Sequence, residues 1–210
     1  MPPTNLANLR NEAASIVREA GQIPKGRLGA ATVLRDKGRG DIQTKTDLAV
    51  EEFVISRLLE AFPEHGALSE ESGERNADAE YVWVLDPIDG TRHFTSGIPL
   101  YSISLALRHR DQFVLGVVYN PESDQLFSAS NGGAAFLNGN PIRCSELTDL
   151  QDAILCVEIP NRHFPTELNQ KVISHLGVLI DRRWRVRMVA DRALGLCYCA
   201  SGGFDAYLNL

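Results

Sequence analysis

The sequence predicts a layered protein of the α+β and α/β kind, and three patterns predict it. The N-terminal third carries two amphipathic helix patterns, the middle is a run of short strands separated by glycine- and asparagine-rich corners, and the last third alternates strand with helix. Leu6, Leu9, Ala13, Ile16, Val17 and Ala20 recur at three- and four-residue spacing, a first helix with Gly21 as its stop. A short strand at 32–35 and a polar turn at 36–40 follow. A second helix starts near Asp47, carries Val50, Phe53, Val54 and Leu58 on one face, and ends at Pro63.

From Tyr81 the period changes. YVWVLD is a short apolar run halted by a proline, so it reads as a buried strand that brings Asp86 to a sheet edge. YSISLALR, FVLGVVYN and QLFSAS continue as an antiparallel meander, with turns at 110–112 and 121–124 and further turn signals at 131–133 and 138–140. Beyond Pro141 come the strand AILCVEI, a helix at 166–176, the strand WRVRMV, a helix at 192–200 and the strand FDAYLNL. The expected division is an α+β part over residues 1–145 and a smaller α/β part over 146–210.

The 210 residues are 44% apolar and 23% charged, enough to build a packed core. A net charge of −6 argues against nonspecific binding to nucleic acid or an anionic membrane surface. Cys144, Cys156, Cys197 and Cys199 form no C-x-x-C pair and read as reduced, small hydrophobes. The N-terminus lacks the charged and apolar regions of a secretory leader, and no apolar run approaches a membrane span, so a cytoplasmic location is the default expectation.

The chemistry concentrates in WVLDPIDGT, residues 83–91. Asp86 and Asp89 lie three residues apart across a proline turn, so both carboxylates can converge on one point. Gly90 lets the backbone approach a ligand closely, and Thr91 opens a helical turn whose first N–H groups suit an anion. Carboxylates are hard oxygen ligands for magnesium, manganese or calcium. Beside a phosphate they repel it unless cations intervene. Two readings are open for this segment: a metal–phosphate site, or an Asx-type turn in which the aspartates cap backbone N–H groups. Glu70 and Glu71 in LSEES, and Asp47 in DIQTKTD, add further acids. For Asp47 the alternative is a helix N-cap, and for the glutamates a solvated loop. A phosphatase with an aspartyl nucleophile two residues before Asp89 is excluded, because Pro87 stands there. The spacing also fails the calcium loop of an EF-hand.

The segments Asp41…Thr44-x-Thr46-Asp47, Ser69-Glu70-Glu71-Ser72 and Trp83-x-Leu85-Asp86-Pro87-Ile88-Asp89-Gly90-Thr91-x-x-Phe94, with Gly97 and Pro99 beyond, resemble the inositol monophosphatase family in this order. The similarity runs from about residue 5 to the end. These are magnesium-dependent, lithium-sensitive phosphatases related to fructose-1,6-bisphosphatase. The resemblance implies an αβαβα sandwich of the sugar-phosphatase type, a homodimer, and hydrolysis of a small phosphorylated polyol or sugar. It implies two or three Mg2+ ions, with Mn2+ as a substitute. Glu70, Asp86 and the Ile88 carbonyl would hold the first ion, Asp86 and Asp89 a second, and Glu70 a weaker third. The N–H groups of Gly90 and Thr91 would cradle phosphate. Asp47 would hydrogen-bond Thr91, and Thr91 with Glu70 would position the attacking water. Lys37 matches a basic residue near this loop.

Two departures follow from the same comparison. The family continues into a W-D-x-A-A segment whose Asp completes the second metal site, and no such segment occurs before Leu210, which implies a truncated chain or an incomplete site. Ala190-Asp191-Arg192-Ala193-Leu194 stands where the family has G-(S/T)-A-A-(L/V), and Asn209 where inositol-specific members have Glu. Asp191, Arg192 and Asn209 are therefore the substrate-side candidates, with Arg192 suited to a second phosphate or a carboxylate. A surface ion pair is the alternative for Arg192. Inositol monophosphate ranks first as substrate. Fructose-1,6-bisphosphatase, histidinol-phosphatase and nucleotide 3′-phosphatase activities are the enzymatic alternatives, and a non-catalytic scaffold or regulatory relative is the other class.

Overall fold

The computed structural model describes residues 5–38, 41–158, 165–182, 185–189 and 191–209; for Lys37, Asp41, Leu150 and Asn209 only the backbone is described. The chain forms two compact units, Met1–Pro141 and Ile142–Leu210.

The first unit opens with α1 (Leu6–Ala20), whose Asn5 side chain accepts the Ala7 N–H at 3.1 Å and so caps the helix. A two-stranded antiparallel ribbon follows, β1 (Val33–Gly38) and β2 (Asp41–Thr44). The sequence reading stopped the first strand at 35 and left the next residues as a turn. Pairing of Asp36 with Ile42 extends it instead, and residues 39 and 40 lie outside the described residues.

Helix α2 (Lys45–Ala61) begins two residues before Asp47. Asp47 is therefore not the N-cap. Thr44 is extended and accepts from the Thr46 and Asp47 N–H groups, while the Asp47 carboxylate reaches back to the Thr44 N–H at 3.0 Å, a reciprocal capping box.

The main sheet has eight strands in the order β10-β9-β8-β7-β6-β5-β3-β4. Its strands are β3 (Gly66–Ser69), β4 (Gly73–Arg75), β5 (Tyr81–Asp89), β6 (Ser102–His109), β7 (Gln112–Asn120), β8 (Gln125–Ser130), β9 (Ala135–Leu137) and β10 (Asn140–Ile142). The predicted meander is present from β5 to β9, each pair antiparallel. The chain turns with positive φ at Arg110 between β6 and β7, at Asp124 between β7 and β8, at Gly132 between β8 and β9, and at Asn138 between β9 and β10. Two strand readings change. β5 is an interior strand between β6 and β3, so Asp86 is not at a sheet edge. Nor does Pro87 end β5: it breaks the register after Asp86↔Ser104, and pairing resumes at Asp89↔Ser102.

The apolar stripes of α1 and α2 pack on the sheet. Leu9, Ile16, Val17, Val50, Val54 and Leu58 meet Trp83, Leu85, Ile103, Leu105, Val117 and Tyr119 in one buried core. Each such side chain removed from water contributes about 1.5–3 kcal/mol. The same packing sets α2 against β5, the strand that carries Asp86 and Asp89.

The second unit has a three-stranded parallel sheet, β12-β11-β13, formed by β11 (Ile154–Glu158), β12 (Arg185–Arg187) and β13 (Ala206–Asn209). Helix α4 (Thr166–Asp181) runs a turn beyond its predicted end, and α5 is Arg192–Ala200. A small core joins Leu155, Val157, Val172 and Leu176. No helix among the described residues is long and apolar enough to cross a membrane.

Candidate active site

The break in β5 builds the central feature. Asp86 accepts the Ile88 N–H at 3.2 Å, so the Asx turn expected as an alternative is present. It uses one oxygen of Asp86 and leaves acceptor capacity on the carboxylate. Gly90 is left-handed at φ 87°, and a Cβ there would lie 3.0 Å from the Leu100 carbonyl oxygen. Only glycine takes both that backbone and that space. Helix α3 (Thr91–Thr95) starts immediately, held in place by Phe94, which is buried with Ile88 and Tyr101. The first N–H groups of a helix have no carbonyl one turn back to receive them.

Asp86 and Asp89 stand on β5 either side of its break, and Glu70 comes from the turn that follows β3; the charges of both Asp89 and Glu70 act on Asp86. Burial pushes the Asp86 carboxyl up to about 8, reinforced by the charge of Asp89 and then by Glu70, which also shares a hydrogen bond with it. Such crowding is costly for anions alone. Among the described residues, no three Asp, Glu, His or Cys side chains are already drawn in tightly enough to hold an ion. Asp89 and Glu70 act on Asp86 through their charge without closing into a cage. Carboxylate oxygens are hard donors, of the kind that divalent cations such as magnesium, manganese or calcium take.

Thr91 links this cluster to α2. Its hydroxyl donates to the Ile88 carbonyl at 2.8 Å and lies 3.4 Å from Asp47 Oδ1. Asp47 is buried, and that burial pushes its carboxyl up to about 6 against the opposing hydrogen bonds from Thr44. Asp47 thus completes the capping box of the Thr44 N-cap with one oxygen and approaches Thr91 with the other.

Sequence reasoning missed two partners here. Glu51 is buried on α2 and accepts from the Ser69 hydroxyl and from the Glu71 N–H. Gln43 donates to the Glu71 carboxylate. The signal for Glu51 was its position one helical turn after Asp47, on the same face. Gln43 gave no comparable signal.

In the second unit Asp191 is fully buried and caps α5 by accepting the Leu194 N–H at 2.8 Å. Arg192 follows as the first helical residue, and its Nε donates to Glu158 at 2.6 Å. The Tyr207 hydroxyl donates to the other Glu158 oxygen. The ion pair raised as the alternative for Arg192 therefore exists. Asn209 pairs with Glu158 in the β11–β13 register. The side chains of Lys37, Asp41 and Asn209, and residue 190, lie outside what is described.

Solved structures share this layered α/β architecture. The suhB protein of Bartonella henselae superposes with a TM-score of 0.86 at 30% identity, covering 95% of this chain and 77% of that one. An IMPase of Thermotoga maritima gives 0.84 at 26% identity, covering 96% and 76%. In sequence, the tomato (Solanum lycopersicum) inositol monophosphatase 3 is 32% identical over 94% of this chain and 75% of its own length. An inositol-1-monophosphatase of Mesorhizobium japonicum is 34% identical over 81% of this chain and 64% of its own. The chain thus spans about two thirds to three quarters of these relatives. Residues 5–210 match the model of the inositol monophosphatase family. The chain belongs to that family, a group of metal-dependent phosphoric monoester hydrolases.

Proposed function

We propose that this chain hydrolyses a small phosphate monoester, with inositol monophosphate the first substrate, using Mg2+ held by Glu70, Asp86, the Ile88 carbonyl and Asp89. The observation that carries the proposal is the crowding of Glu70 and Asp89 on Asp86, which a bound cation relieves while leaving the carboxylates ionised. Ile88 can serve although its carbonyl already accepts from Thr91, because a carbonyl oxygen has two lone pairs. When bound, magnesium lowers the pKa of a water and neutralises charge on the phosphoryl oxygens.

The remaining work falls to the chain. Gly90 and Thr91 offer backbone N–H groups to the phosphate. Thr91 gives its hydroxyl proton to Ile88 or Asp47, so its oxygen lone pairs stay available to orient a water. Glu70 takes the other side of that water. Asp191, Arg192 and Asn209 form the substrate-side set. Within its own unit the Arg192 guanidinium is oriented by Glu158, and its remaining N–H groups suit a second phosphate or a carboxylate. The family likeness also supports sensitivity to lithium, a homodimer and a cytoplasmic setting.

Phosphate release tests the proposal, with inositol, sugar and nucleotide 3′-phosphates offered in turn with magnesium. Release from inositol monophosphate that disappears with EDTA is the expected result. No release from any ester would leave the scaffold reading in its place.

A further inference from the structure

We infer that Glu51 is a positioning residue for the metal site, acting through the loop that carries Glu70; the inference rests on the reading just given. A carboxylate 4% exposed on a helix packed into an apolar core is costly unless its acceptors are filled. Those of Glu51 go to one place. One oxygen, Oε2, accepts the Ser69 hydroxyl and, at 3.1 Å, the Glu71 N–H. These are the two residues flanking Glu70. Between them the Glu70 N–H donates to the Leu85 carbonyl at 3.3 Å, one residue before Asp86. Gln43 fixes the loop from a third side through the Glu71 carboxylate. Residues 69–71 are thereby tied to α2, β5 and β2 at once, and the Glu70 side chain is left to face Asp86.

Helix α2 then backs the site in two ways, one turn apart. Asp47 approaches Thr91, and Glu51 holds the Glu70 loop. Glu51 touches no reacting atom in this scheme. It sets where one metal ligand stands.

The test is calorimetric titration of the full chain with magnesium chloride alone, without substrate. Glu51→Ala is expected to weaken binding roughly ten- to a hundredfold, as losses of residues that orient metal ligands do. Glu51→Gln keeps an oxygen that accepts both hydrogen bonds and is expected to bind close to wild type. Ile55→Ala, a buried core change on the same helix, destabilises the fold without touching the loop and is expected to leave the affinity unchanged. Equal binding by wild type and Glu51→Ala overturns the inference. So does equal weakening by Glu51→Ala and Glu51→Gln, which would make the effect one of charge, or weakening by Ile55→Ala, which would make it one of stability. If Glu51→Ala does not fold, Ser69→Ala removes the same bridge from its other end: severalfold weaker binding supports the inference, and unchanged binding overturns it. Glu70→Gln is run beside them. A wild type that binds no magnesium, or a Glu70→Gln that binds as tightly as wild type, removes the underlying metal reading and this inference with it. Loss in Glu70→Gln with none in Glu51→Ala or Ser69→Ala removes the inference alone.

Discussion

The candidate site residues of the two units are set in opposite ways, although the first unit also pairs charges on its surface, as in Arg18–Asp124 and Arg57–Glu19. In the second, Arg192 meets Glu158, and Glu158 is also held by Tyr207, so charges are paired locally. Among the acids of the first unit's candidate site, carboxylates are set against carboxylates: beyond the effect of burial, Asp89 and Glu70 raise Asp86, and Glu71 adds to the rise of Asp47. Paired charges add little to stability when exposed, and unpaired like charges subtract from it. A fold that keeps the second arrangement has a reason outside folding. The reason we propose is a cation that completes the site.

The largest effect expected from breaking this contrast comes from the acidic cluster. Asp89→Asn should lower magnesium-dependent phosphate release by about a hundredfold or more while circular dichroism stays unchanged, the scale of loss when a group aimed at transition-state charge is removed. Retained turnover would take Asp89 out of the site.

Next comes the pH dependence of the metal-free protein. The folded Asp86 carboxyl stands near 8, above the value of about 4 in an unfolded chain. The folded state therefore binds the extra proton, so this contribution to stability is present at low pH and is lost as pH rises through about 8. Asp47, raised to about 6, acts in the same direction. With EDTA present, Tm should fall between about pH 5 and pH 8, and added magnesium should flatten the fall. A Tm that rises over that range without metal would contradict the assignment.

Gly90→Ala should cost about 1–3 kcal/mol, measured by urea unfolding, because alanine at φ 87° is strained and its Cβ meets the Leu100 carbonyl. The smallest effect belongs to the second unit. Arg192→Ala should shift stability by less than about 1 kcal/mol, since the side chain is 58% exposed in its ion pair. It should change the ranking of inositol, sugar and nucleotide phosphates more than the turnover of a small aryl phosphate. An unchanged ranking would leave Arg192 only its pairing with Glu158.

The same contrast governs what could be read from the sequence. The strands β5 to β8 are short apolar-rich runs, and β6 to β8 are joined by tight turns, so local pattern was enough. The ligand candidates Asp86 and Asp89 share one short motif and were legible for the same reason. β3 was not, because GALS is four residues long and pairs in parallel with a strand beginning fifteen positions later than its own start, which no local pattern encodes. The break of β5 at Pro87 was read as an end because the resumption at Asp89 depends on β6. Glu51 looked like one more charge on an amphipathic helix. Its role is visible only once Ser69 and Glu71 arrive from the far side of the chain turn.

Manganese scatters anomalously and substitutes for magnesium at oxygen sites, so a crystal soaked in manganese chloride addresses the cluster directly. An anomalous peak bounded by the carboxylates of Glu70, Asp86 and Asp89, and missing in Asp89→Asn, is the expected result. A clean map with no peak among those three side chains would contradict the metal assignment at its root.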